Sequence, residues 1–198
     1  FNAEESNLSI AIWRLGMELV EVGLRDEALL LDLLNTTPVM DGVQHDLLAE
    51  GAARAWLREH GAAEGELADL VAARNVLQAV VRGAESADNL GPFLEAVALR
   101  PTATVDGLSW ELDTDDAMRG AVRAVLAWDA LRISSPGRLR ACANPDCRLF
   151  LIDRSKPNTA RWCSMAICGN RMKARRHYQR TKATERERGL DRGIRRPR

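Results

Sequence analysis

The chain has 198 residues, 46% of them apolar and 28% charged, with 28 Lys/Arg against 28 Asp/Glu. That composition belongs to a folded globular chain and argues against wholesale disorder; no apolar run reaches the roughly 18–20 residues that cross a bilayer. The zero net charge conceals a division, because residues 1–135 carry 10 Lys/Arg and 23 Asp/Glu whereas residues 136–198 carry 18 and 5. Such asymmetry predicts two functional units, the basic one meeting a polyanion. Mutual neutralisation by docking is the plainer alternative.

The sequence opens on Phe1 rather than Met, which predicts a processed or truncated product with Met17 as a natural start and Phe1–Gly16 as added or divergent residues. No positively charged n-region leads into an apolar stretch, so no secretory signal is expected and the reading is cytoplasmic. Residues 17–135 read as a mostly helical domain. Ala28–Asn35 is dense in leucine and fits either a buried strand or a helix, ended by Asn35-Thr-Thr-Pro38. Leu48, Ala52, Ala55 and Trp56 fall at helical spacing, and Leu67, Leu70, Val71, Leu77, Val80 and Val81 mark a longer amphipathic helix. Leu90, Phe93, Leu94 and Val97 predict a third, closed by Pro101. Met118, Ala121, Val122, Val125, Leu126 and Trp128 predict a fourth, with Asp113-Thr-Asp-Asp116 capping its first amides. Between the last two, Ala103–Leu112 reads as a hairpin turning at Asp106-Gly107.

Trp56, Trp110 and Trp128 are expected in the interior of this part, and His45 and His60 on its surface. No Gly-rich phosphate loop, nucleophile motif or His/carboxylate pattern is present, so an enzyme is not expected. Ile133-Ser-Ser-Pro-Gly137 reads as the boundary to a compact module over 138–182. The last stretch, 183–198, is charged without apolar periodicity and reads as a flexible basic tail.

All four cysteines, Cys142, Cys147, Cys163 and Cys168, fall in the basic module as two Cys-x4-Cys pairs with fifteen residues between. Clustered thiols in a chain without a signal peptide point to a metal rather than to disulfides. Four thiolates suit tetrahedral Zn²⁺ and leave no open position for water or substrate, which favours structure over catalysis. Leu149, Phe150, Leu151, Ile152, Trp162, Ile167, Met172 and Tyr178 are too little apolar mass to fold such a module without a staple, so it should unfold without metal. Cys142–Cys147 reads as a tight turn, Arg148–Asp153 as a strand, and Arg161-Trp-Cys163 as its returning partner. Ser164 then caps a turn, and a basic helix runs to about Lys182. Knuckle, hairpin and helix in that order are treble-clef-like. The fold class is therefore mainly α with a small β component, a helical N-terminal domain joined to that finger.

Cys142-Ala-Asn-Pro-Asp-Cys147, Phe150, Arg161-Trp-Cys-Ser-Met165 and Cys168-Gly-Asn-Arg171 together resemble the CGNR zinc finger. Leu31-Asp-Leu-Leu-Asn-Thr36, Trp56-Leu57 and Ala73-Arg74 resemble the ABATE domain that precedes this finger in bacterial proteins described as stress-induced transcription regulators. The resemblance implies transcription control, with DNA as partner, and leaves the signal or small-molecule effector unnamed.

Arg171, Lys173, Arg175, Arg176, Arg180 and Lys182 crowd one helix, and Arg161 precedes it; no acidic residue interrupts Arg154–Ala183. Self-repulsion along such a helix is relieved by phosphates, so these seven are the candidate nucleic-acid contacts. Arg171 and Arg175, one turn apart, are candidates for reading guanine edges. Asn170 is expected to fix the turn at the helix start, Gly169 to relax the backbone beside a ligand. The leading reading is a zinc-dependent DNA-binding regulator, a homodimer through its N-terminal part. The alternative is a protein- or RNA-interaction module without sequence-specific DNA binding, and oxidation of the thiolates is a redox variant of the first.

Overall fold

The computed structural model describes residues 24–49, 51–105 and 107–194. The expectations for Phe1–Gly16, for Asp106 and for the side chain of Trp110 lie outside the described residues. Helix α1 (Leu24–Leu34) settles the leucine-rich stretch, because Leu29, Leu30, Leu33 and Leu34 are buried while Ala28 and Asp32 are exposed. That is a helical repeat, not the alternation of a strand. The helix ends where the Thr36 hydroxyl donates to the Leu33 carbonyl at 2.8 Å.

A two-stranded hairpin that the sequence reading did not anticipate follows, β1 (Val39–Met40) with β2 (Val43–Gln44). Its loop residues Asp41 and Gly42 both have positive φ, 51° and 82°, the geometry that an Asp-Gly pair adopts at least cost. Helix α2 (Ala53–Glu59) holds Ala55 and Trp56 of the first predicted stripe, with Leu48 and Ala52 ahead of it, whereas α3 (Leu67–Val81) holds the longer stripe whole. The third expected helix is instead a 3-10 segment over Ala87–Phe93, with Pro92 inside it and Leu90 and Phe93 buried. Gly91 and Pro92 disfavour a regular helix there, and Pro101 lies within a strand rather than closing a helix. That strand, β3 (Ala98–Thr104), pairs antiparallel with β4 (Gly107–Asp113), a longer hairpin than the sequence implied.

Helix α4 (Arg119–Ser134) begins after the acidic run, but its cap differs from the one expected. Asp115 accepts from Ala117 N at 2.8 Å, ahead of the helix. Inside the first turn, Gly120 N donates at 2.7 Å to Glu66, whose other carboxylate oxygen accepts from Ala63 N at 2.7 Å. One buried carboxylate thus ends two segments, favoured by the positive end of the α4 dipole.

The core joins α1, α3 and α4 with Leu57, Leu90 and Phe93. Trp56 and Trp128 pack at its margin, half-buried, rather than filling its centre. His60 is the reverse case. Its side chain is 8% exposed, stacked on Trp56 at 4.1 Å and hydrogen-bonded to Asp32 at 3.1 Å, so it is a packed residue and not a surface one.

A buried polar cluster fixes the chain leaving α1. Arg74, 3% exposed, donates to both oxygens of Asp46 at 2.7 and 2.8 Å and to the Thr36 hydroxyl at 3.1 Å. Gln78 donates at 2.8 Å to both the Leu34 carbonyl and the Thr37 hydroxyl. The Arg74 guanidinium is the main reason the Asp46 carboxyl titrates below its ordinary range.

The basic part grows out of this core. Strand β5 (Leu139–Ala141) pairs antiparallel with β6 (Phe150–Ile152), and Phe150, 1% exposed, belongs to the same apolar cluster as the leucines of α1 and α3. Leu139, Ala141 and Ile152 pack against that cluster. A wide turn over Met165–Gly169 then leads into α5 (Asn170–Ile194). Helix α5 runs well past Lys182, through a segment whose charged composition predicts a flexible tail. Ala183, Glu185, Arg186, Glu187 and Arg188 are good helix formers with opposite charges three residues apart, a local support that apolar periodicity does not register.

Candidate metal centre and basic helix

The two cysteine pairs are presented by two different devices. Cys142 and Cys147 bracket a tight turn inside the β5–β6 hairpin, closed by Cys147 N donating to the Asn144 carbonyl at 2.9 Å and by Cys142 N donating to Leu149 at 2.8 Å. The strand that the sequence reading paired with Arg161–Cys163 pairs with β5 instead, and Arg161 lies beside the turn, its carbonyl accepting from Ala143 N at 2.8 Å. Phe150 and Ile152 face the core, and their partners Ala141 and Leu139 share that face, which Arg161 would not fill. Cys163 and Cys168 bracket the wide turn, where Ser164 accepts from Ile167 N as an N-terminal cap.

All four sulfurs lie within 4.8 Å of one another. Cys163 Sγ stands 3.7 Å from the sulfurs of both Cys147 and Cys168. A disulfide needs about 2.05 Å, whereas a tetrahedral centre with bonds of about 2.3 Å separates its sulfurs by about 3.8 Å. The spacing therefore fits four ligands around one ion. The thiols also need a cation in order to ionise together. Burial pushes Cys147 up to about 11 and raises Cys163 further. At Cys168 burial opposes the thiolate too, but hydrogen bonds from Asn144 and from the neighbouring thiols outweigh it and lower the pKa.

Asn144 is a site residue that sequence reasoning missed. It is 0% exposed, donates its side-chain amide to Cys168 Sγ at 3.4 Å, and accepts from Asp146 N at 3.2 Å. The Asn-Pro-Asp string supplies the turn, and an asparagine between two ligands also offers an amide N–H to a sulfur, as outer groups around metal ligands commonly do. Asp153 was missed as well. Buried at 2% exposure, it accepts from Ser155 N at 2.8 Å and Ala160 N at 2.7 Å, and pairs with Arg140 at 3.3 Å, so it organises the loop that returns to Cys163.

Residues 138–181 match the family model of the CGNR zinc finger. A comparison with curated proteins found no match. The last motif of the finger is explained by packing. Asn170 donates to the Ala166 carbonyl at 3.2 Å, joining the wide turn to α5 as expected. Gly169 does not have positive φ; a Cβ there would lie 2.8 Å from Met165 Sδ and 3.3 Å from Trp162, so the glycine supplies room rather than backbone freedom.

The finger is bolted to the helical part by Asn35 just after α1, Arg82 just after α3 and Glu27 within α1. Asn35 accepts from Phe150 N at 2.7 Å and donates to the Phe150 carbonyl at 3.3 Å, acting as a one-residue strand partner for β6. Arg82 lies over the Phe150 ring at 4.2 Å and donates to the Arg148 carbonyl at 2.6 Å. Arg154 pairs with Glu27 across the same seam. Beside it, a cleft of about 410 Å³ is lined by Leu31, Met40, Phe150, Ile167 and Arg171.

The basic residues separate into two faces of α5. At about 100° per residue, Arg171, Arg175 and Lys182 share one side, while Lys173, Arg176 and Arg180 share the opposite one. Arg175 reaches back to Asp146 at 3.3 Å, and Lys182 lies 5.1 Å from the Tyr178 ring. On the other side, Arg176 and Arg161 both approach Trp162, at 5.9 and 5.4 Å. Trp162 thereby brings Arg161, distant in the finger, to the Lys173–Arg176–Arg180 face. All seven residues are exposed, as is His177. Met172 is half-buried, whereas Tyr178 is 60% exposed and does not pack inward.

Proposed function

We propose that the chain is a zinc-dependent DNA-binding regulator in which Cys142, Cys147, Cys163 and Cys168 hold Zn²⁺ and the face of α5 carrying Lys173, Arg176 and Arg180, extended by Arg161, meets the phosphate backbone. The observation that carries the reading is a rigidly based cationic helix. Its first turn adjoins a metal ligand, Cys168, and the other half of the finger is rooted in the apolar core through Phe150. Bound zinc would act there as a cross-link, joining the knuckle to the base of α5 in a treble-clef-like finger. Four sulfur ligands leave no position for substrate, so the centre is read as structural and the chain as non-catalytic.

Arg175 already has a carboxylate partner, which favours the Arg176 face over the Arg171–Arg175 face for DNA. The Leu31–Thr36 string, which resembles the ABATE domain, contributes Asn35 to the finger and Thr36 to Arg74. We read the N-terminal part as the support of the finger and as the place where a signal would act.

The test is fluorescence anisotropy of zinc-loaded protein with duplexes selected from a random pool, run beside RNA and heparin. Affinity for the selected duplex should fall steeply with salt, and Arg176→Gln should make the log–log salt slope shallower by about one unit. Chelation should abolish binding. Equal retention by duplex, RNA and heparin would overturn specific regulation in favour of a general polyanion- or protein-interaction module.

A further inference from the structure

We propose that the β3–β4 hairpin is the surface through which two copies of this chain associate, the β4 edges pairing antiparallel about a twofold axis at residue 110. The inference does not depend on the nucleic-acid reading.

Among the described residues the hairpin packs mainly on itself. Leu108 is 65% exposed and the loop residue Val105 is 101% exposed. A lone two-stranded hairpin is at best marginally stable in water, and this one, with few contacts to the other described elements, would gain from further strands. Its register explains what kind. Leu99 pairs with Leu112, Pro101 with Trp110 and Ala103 with Leu108, which places apolar positions on one face. Arg100 opposite Glu111, Thr102 opposite Ser109 and Thr104 opposite Gly107 place polar ones on the other, where Arg100 also pairs with Asp113 at 2.6 Å.

The two edges differ. A two-residue loop closes on a hydrogen-bonded pair, so Thr104–Gly107, Thr102–Ser109 and Arg100–Glu111 carry the ladder, and residues 99, 101 and 103 turn their backbone groups outward. Position 101 is proline, which has no N–H to offer, and it blocks the outer edge of β3. The outer edge of β4, at 108, 110 and 112, has neither a proline nor a charged residue.

That open edge is complementary to itself. About residue 110 the order Leu108-Ser-Trp-Glu-Leu112 reads apolar, polar, apolar, polar, apolar in both directions. An antiparallel twofold therefore sets Leu108 against the partner's Leu112 and Ser109 against the partner's Glu111. No two like charges face each other. A pairing offset by one residue would put these apolar positions on opposite faces of the joined sheet. The result is a four-stranded sheet with one continuous apolar face, the isologous arrangement most soluble dimers use.

The experiment uses the full zinc-loaded chain, with sedimentation equilibrium for mass and amide hydrogen exchange for location. The expected mass is twice that of one chain, with slow exchange at Leu108, Trp110 and Leu112 that becomes fast on dilution. Leu108→Pro removes one outward N–H and leaves the internal ladder intact. It should weaken association at least tenfold, roughly the loss of 1.4 kcal/mol or more, and Leu108→Lys should do the same, while Val105→Lys should not. A monomeric mass at micromolar concentration, or a dimer unaffected by Leu108→Pro with those amides unprotected, overturns the proposal.

Discussion

Replacing Asn35 tests how the finger is held to the helical part. The Asn35 amide orientation is dictated by its partner, since Phe150 N can only donate and its carbonyl can only accept, at 2.7 and 3.3 Å. Phe150 is 1% exposed, so in Asn35→Ala neither backbone group regains full hydration. An orphaned buried N–H costs about 1–3 kcal/mol, and the longer, weaker carbonyl bond adds less, giving about 2–4 kcal/mol in all. Asn35→Asp keeps the acceptor for Phe150 N and loses the donor to the carbonyl, so it should cost less than Asn35→Ala. Urea denaturation of zinc-loaded protein, followed by tryptophan fluorescence, measures both. An Asn35→Ala variant within 0.5 kcal/mol of the parent, or an Asn35→Asp variant more damaging than Asn35→Ala at neutral pH, would refute the clamp.

Gly120→Ala should destabilise by about 1–3 kcal/mol in the same assay, because its Cβ would fall 2.8 Å from the Glu66 carboxylate and 3.0 Å from Leu70. Arg74→Met should cost about 2–3 kcal/mol, below the range for a fully enclosed ion pair, because the Asp46 side chain is 33% exposed. Arg74 lowers the Asp46 pKa in the folded state. This stabilisation is therefore full above the unfolded value of about 3.9 and lost as pH falls through the folded one. Parent and Arg74→Met stabilities should thus converge below that value in an acid titration. Chelation under reducing conditions should remove exchange protection from residues 154–182 while Phe150–Ile152 stay protected; uniform loss or uniform retention would contradict a finger half-rooted in the core.

The metal centre was the most legible part of the sequence because cysteine is rare here and its spacing carries the chemistry. All four ligands expected from two Cys-x4-Cys pairs meet within 4.8 Å. Helical stripes were legible for the same reason wherever a long apolar repeat was available, as in α3. The failures share a different cause. Glu66 caps α4 from 54 positions away, and Asn35 joins Phe150 across 115, so no local pattern announces either. The acidic run at Asp113–Asp116 looked like a cap because local charge was the visible signal, whereas the buried carboxylate that reaches Gly120 belongs to another segment. Residues 87–93 failed on composition: apolar spacing favoured a helix, and Gly91-Pro92 tightened it to 3-10.

The charge boundary and the packing boundary do not coincide. The charge changes sign near residue 136, yet the apolar core continues through Leu139, Ala141, Phe150 and Ile152. Arg154–Glu27 is an ion pair seen across the seam, where ring burial, the Asn35 amide pair, Arg82 over Phe150 and the bonds of Arg148 to Gln44 and of Arg82 to the Arg148 carbonyl also join the two parts. Among the described residues docking therefore leaves most of the positive charge of the finger unspent, and the cations of α5 from Arg171 to Lys182 remain exposed. Apolar burial works at contact range, whereas the field of α5 is felt over about a Debye length, 8–10 Å in moderate salt. A chain that holds its finger by the first can leave the second available to a polyanion. On the reading proposed above, the net acidic charge of residues 1–135 would repel that polyanion and so favour its approach to α5.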